Sequence, residues 1–132
     1  MKKILFILLS VFTLAACNGA ENQKERTRKM LAKEVEAANL QIKGLQLDEA
    51  TRSEGCEFKN DVYYYYYTVN ENNLAIEVVE EMKDLLKENL LSGLESDQST
   101  KELLRLVRSL DGKIIYHYTG SASGKTVTIA IE

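Results

Sequence analysis

Val62-Tyr63-Tyr64-Tyr65-Tyr66-Tyr67-Thr68-Val69 sets five consecutive tyrosines between β-branched residues. Such side chains fit a pleated, half-buried surface, so the run predicts a strand. Successive side chains of a strand point to opposite faces. Val62, Tyr64 and Tyr66 therefore share one face, and Tyr63, Tyr65, Tyr67 and Val69 share the other. One of these faces must meet a second layer, and that requirement makes the rest of the chain a search for helices.

Upstream, residues 48–60 are polar and irregular, with Gly55 and Asn60-Asp61 as turn signals. Leu40 and Ile42, then Leu45 and Leu47, alternate in two phases around Gly44, which predicts a short strand with a bend. Residues 24–38 carry Met30, Leu31, Val35 and Ala38 at helical spacing among Lys, Arg and Glu. Basic residues crowd the start of that helix, the less favourable end for positive charge. Downstream, Asn72-Asn73 opens a helix with Leu74, Val78, Met82, Leu85 and Leu86 on one face, closing near Gly93. Ser99-Thr100-Lys101-Glu102 has the pattern of a capping box before Leu103, Leu104, Leu106, Val107 and Leu110. Residues 113–119 and 125–131 alternate around Gly120–Gly124 and read as a hairpin. The order α-β-β-α-α-β-β predicts an α+β fold, a two-layer domain whose antiparallel sheet is covered on one face by helices. In element order it resembles cystatin-like helix-on-sheet folds, and in general appearance small lipoproteins of Bacteroides-type bacteria.

The amino terminus carries a separate message. Lys2 and Lys3 precede an apolar segment at 4–14, and Leu14-Ala15-Ala16-Cys17 follows. The segment is shorter than the roughly 20 apolar residues of a membrane span and has the build of a signal peptide. It resembles the lipobox of bacterial lipoproteins. That resemblance implies cleavage before Cys17, a diacylglycerol with a further acyl chain such as palmitate on Cys17, and anchorage in the membrane of the cell envelope. Asn18, where an enteric sorting rule reads aspartate as inner-membrane retention, implies the outer membrane, on its periplasmic or surface side. The expected division is a signal peptide at 1–16, a lipidated tether at 17–23 and one α+β domain at 24–132.

Removing Lys2 and Lys3 with the signal lowers the basic count from 17 to 15 against 20 acids, a net charge of −5. An acidic domain lacks the basic stripe that nucleic-acid binding needs, so no nucleic acid is expected as a partner. With Cys17 acylated, Cys56 has no partner for an internal disulfide and packs as a small apolar residue. Proline is absent, which argues against a rigid stalk.

Gly120-Ser121-Ala122-Ser123-Gly124-Lys125-Thr126 has one residue too few for a phosphate loop and leads into a strand, so it reads as a hairpin turn and no nucleotide is expected. His117 is the single histidine, and no Cys/His cluster has metal-ligand spacing, so no metal or other cofactor is expected. Glu77, Glu80, Glu81 and Asp84 read as the solvated face of a helix. The tyrosines have two readings. Tyr63, Tyr65 and Tyr67, extended by Tyr116 and Tyr118, form either an aromatic surface for a protein, peptide or glycan or the cross-strand packing of a sheet. The leading expectation is a non-enzymatic, lipid-anchored binding module that uses this row. A small envelope hydrolase built on Cys56 and His117, an inhibitor of such an enzyme, and a structural accessory of an envelope assembly are the alternatives.

Overall fold

The computed structural model describes residues 20–132. The signal segment at 1–16 and Cys17 lie outside the described residues. Eight elements follow in chain order: α1 (Ala20–Ile42), β1 (Thr51–Lys59), β2 (Val62–Val69), α2 (Ile76–Glu81), α3 (Lys83–Ser96), α4 (Gln98–Ser109), β3 (Lys113–Gly120) and β4 (Thr126–Ile131). The order α-β-β-α-α-β-β holds, with α2 and α3 standing for one expected helix. That helix breaks at Met82, whose backbone (φ −95°, ψ 13°) leaves the helical region.

α1 starts inside the expected tether and runs past its expected end. The spacing of Leu31, Ala38 and Ile42 explains the extension, since all three are buried on one stripe. Leu40, expected in a strand, stands on the opposite side of this helix, 90% exposed. Gly44, with φ 85°, turns the chain out of the helix, and its N–H donates to the Ser53 carbonyl. Of the strand expected at 40–47, only a single bridge between Gln46 and Arg52 forms.

The first strand lies instead in the polar stretch. β1 hides its period because a bulge falls between Ser53 and Gly55. Asn39 of α1 clamps that bulge: Nδ2 donates to the Cys56 carbonyl at 3.0 Å, and the Cys56 N–H donates to Oδ1 at 2.7 Å. Gly55 (φ 106°) is required there, since a Cβ would fall 2.6 Å from the same Oδ1. The expected turn at Asn60-Asp61 is a two-residue hairpin with both residues at positive φ (53° and 63°).

The four strands lie in the order β1-β2-β3-β4. The sheet is mixed rather than fully antiparallel, because β2 and β3 run parallel, with Val62 opposite Lys113 and Tyr66 opposite His117. Residues 70–112 supply the long crossover that a parallel pair needs. The β3–β4 hairpin forms as expected. The expected capping box does not form. α4 begins two residues early, with Asp97 rather than Ser99 at its N-cap, so Ser99 falls inside its first turn, and the Thr100 hydroxyl donates to the Leu94 and Asp97 carbonyls. Gly93 lies inside α3 rather than after it.

All four helices contribute to one core against one face of the sheet, built from Leu31, Ile76, Val79, Leu94, Leu103 and Val107 with Ile114, Val127, Ile129 and Ile131. Among the described residues, no helix covers the other face of the sheet.

Candidate functional site

The alternation along β2 and β3 decides which tyrosines can meet a partner. Tyr63, Tyr65, Tyr116 and Tyr118 are buried, and Tyr67 is packed against the same core. Their rings interlock, Tyr65 on Tyr116 at 5.1 Å and Tyr67 on Tyr118 at 5.1 Å, both stacked. Burial raises the hydroxyl pKa values throughout the row. The five residues expected as a contact surface are therefore the floor of the core. The physical reason is area: five tyrosines on the face that meets the helices bury more aromatic surface than two on the other.

The open face carries Tyr64 and Tyr66, whose rings stack at 5.8 Å with planes 10° apart. His117 meets Tyr66 edge-on at 5.5 Å, and Ile115 lies opposite Tyr64. The Lys59 ammonium stands 5.7 Å from the Tyr64 ring centre. The Tyr66 hydroxyl donates to Glu57 Oε1 at 2.7 Å. Partial burial and that bond push Tyr66 up to about 12, so the phenol stays protonated and oriented. Thr68 donates to Glu54 at one end, with Thr119, Thr126 and Thr128 continuing the row. Two aromatic rings and an imidazole thus sit among short hydroxyl and charged side chains, all half-buried or exposed. This surface offers stacking, hydrogen bonding and both signs of charge without a cleft.

Cys56 and His117 do not meet. Cys56 pairs with Tyr65 on the helix side, whereas His117 stands on the open side. The Cys56 thiol lies 3.5 Å from the Tyr63 hydroxyl, and burial pushes it up to about 11. It is a packed thiol rather than a thiolate nucleophile. Beneath it on α1 lies Glu34, 4% exposed, with an Oε2 that has no hydrogen-bond partner among the described residues. Burial raises the Glu34 carboxyl above the ordinary value. A raised folded-state pKa means that the ionised form opposes folding, a penalty that grows as pH rises above the unfolded value. Glu34→Met is expected to stabilise the domain by about 1 kcal/mol near neutral pH. In urea titrations the gain shrinks towards pH 4; a pH-independent loss would contradict the orphaned-carboxylate account.

The glycine-serine loop that resembles a phosphate cradle is a turn whose donors are already engaged. The Ala122 and Ser123 N–H groups each donate to Glu71 Oε1 at 2.7 Å, and the Ser123 hydroxyl donates to Oε2. These bonds hold the Glu71 carboxyl below the usual range. Gly120 makes room for it, since a Cβ there would lie 2.5 Å from Glu71 Oε2. Among the described residues, no group of three or more His, Cys, Asp or Glu is placed to hold a metal ion. No helix among them is long and apolar enough to cross a membrane.

Comparison with known proteins adds two findings. The family profile for the prokaryotic membrane lipoprotein lipid attachment site matches residues 1–18. The chain is a lipid-anchored protein of the cell envelope. A search of curated protein sequences finds no match. The fold is similar to the crystal structure of a candidate secreted protein of Pseudomonas aeruginosa, with a TM-score of 0.63 and 13% identity over 89% of this chain and 96% of that one. At that identity the likeness is one of architecture.

Proposed function

We propose that this lipoprotein is a non-enzymatic binding module that presents the open face of its sheet to a protein, peptide or glycan of the envelope. One observation carries the reading: the helices cover one face only, and the uncovered face keeps two stacked tyrosines and an imidazole at its centre. A tether on Cys17 raises the effective concentration of any partner in the same membrane, so modest contacts suffice. Asn18 supports an outer-membrane destination. Separation of Cys56 from His117 removes the pair on which a hydrolase would rest.

The test is photo-crosslinking in cells with a benzoylphenylalanine at position 64, 117 or, as a control, 88 on α3. Discrete adducts from 64 and 117, absent from 88 and lost on Tyr66→Ala, are the expected result. Identical patterns from all three positions, or none from 64 and 117, would overturn the reading.

A further inference from the structure

The charge of the domain is not spread evenly. α2 and α3 together carry six acidic residues, Glu77, Glu80, Glu81, Asp84, Glu88 and Glu95, against Lys83 and Lys87. The outer sides of α1 and α4 carry the opposite sign. On α1, Arg26, Lys29 and Lys33 are exposed within one arc of about 60°, as 3.6 residues per turn dictates. Leu31, Ala38 and Ile42 occupy the opposite arc and are buried against the sheet. On α4, Lys101, Arg105 and Arg108 form a second exposed stripe, opposite Leu103, Leu106 and Leu110. The two helices pack side by side, so the stripes make one basic surface. Among the described residues, the acids at its borders are Glu25 and Glu36 on α1, Glu102, which pairs with Arg105, and Glu132, whose carbonyl accepts from Arg108. The exposed Leu40 continues the α1 stripe at 90% exposure.

Position relative to the anchor supplies the occupant. α1 begins at Ala20, so only Asn18 and Gly19 separate it from Cys17. The three residue steps from Cys17 to Ala20 reach at most about 11 Å, little more than the Debye length of about 8 Å at physiological ionic strength. Among the described residues, Arg28 bonds Asp61 and Glu25, and no ion pair involves Arg26, Lys29 or Lys33.

We propose that the joint outer face of α1 and α4 lies on the anionic phospholipid headgroups of the membrane that holds the Cys17 lipid. The sheet then runs above the helices with its open face away from the bilayer, and the domain tilts onto α1 so that the acidic α2 and α3, at the β4 end of the same helix layer, stand off the surface. The membrane orients the domain as well as retaining it.

The test is lysine footprinting of the full-length lipidated chain, its acylation verified by intact mass, in phosphatidylcholine vesicles with and without phosphatidylglycerol. With a membrane-impermeant acylating reagent, Lys29, Lys33 and Lys101 are expected to react about fivefold more slowly on the anionic vesicles. Lys113, on the open face opposite Val62, is expected to react equally on both. Protection disappears at 1 M salt, where the Debye length falls to about 3 Å, and at Lys29 and Lys101 in the Arg26→Gln/Lys33→Gln/Arg105→Gln variant. Equal labelling on the two vesicles overturns the proposal. So does protection that persists on pure phosphatidylcholine, which would assign the surface to a second copy of the chain.

Discussion

Tyr63→Ala is expected to cost about 3–5 kcal/mol of folding stability, the range for deleting a large buried ring. Tyr64→Ala, one residue along the same strand, costs about 1 kcal/mol. Tyr63 is fully buried, lies 5.3 Å from the Tyr65 ring and 6.3 Å from the Phe58 ring, and sets its hydroxyl against Cys56. No water or neighbouring side chain can refill a site closed on every side by helix and sheet. Tyr64 gives up one stacked partner and the Lys59 contact, and solvent takes its place. Urea midpoints of the two variants measure the difference. Equal losses would mean that the faces of β2 are not inner and outer as described.

The second large effect concerns Gly112. Its φ is not in the left-handed region, so its requirement is space rather than conformation. A Cβ built there falls 1.9 Å from the Asp61 carbonyl oxygen and 3.3 Å from Val107 Cγ1. A backbone oxygen cannot rotate aside as a side chain does. Gly112→Ala must therefore part the start of β3 from the β1–β2 turn, beside the point where Val62 pairs with Lys113. The expected loss is about 3 kcal/mol, at the upper end for overpacking, and thermal unfolding shifts down by about 10 °C or more. Gly93→Ala is the contrast: it lies inside α3 with nothing within 4 Å of a Cβ. That variant gains up to about 1 kcal/mol from helix propensity. A neutral Gly112→Ala would contradict the close approach of the two turns.

Legibility in the sequence followed the strength of the local period. β2, β3 and β4 alternate without interruption and were readable to within a residue or two. α4 was readable because its leucines repeat at helical spacing. β1 was not, because a bulge at Ser53/Gly55 breaks its alternation and Glu54, Glu57 and Lys59 make it look like a loop. The continuation of α1 was missed for the converse reason. Leu40 and Ile42 happen to sit two apart, and only packing shows that Ile42 belongs to the stripe of Leu31 and Ala38 while Leu40 faces away. Separation of the tyrosines into two rows was readable; which row was buried was not.

The sequence by itself determined the lipid-attachment signal at Cys17, the α+β class and the order of the elements, though not which residues form β1, because signal peptides, periodicity and turn residues are local properties. Tertiary structure decided the rest. The parallel pairing of β2 with β3 depends on where a long crossover returns. The burial of Tyr63, Tyr65, Tyr67, Tyr116 and Tyr118, and with it the exposure of Tyr64, Tyr66 and His117, depends on which side of the sheet the helices dock. Alternation has a period of two and is symmetric between faces, so no strand alone can state which of its faces meets water.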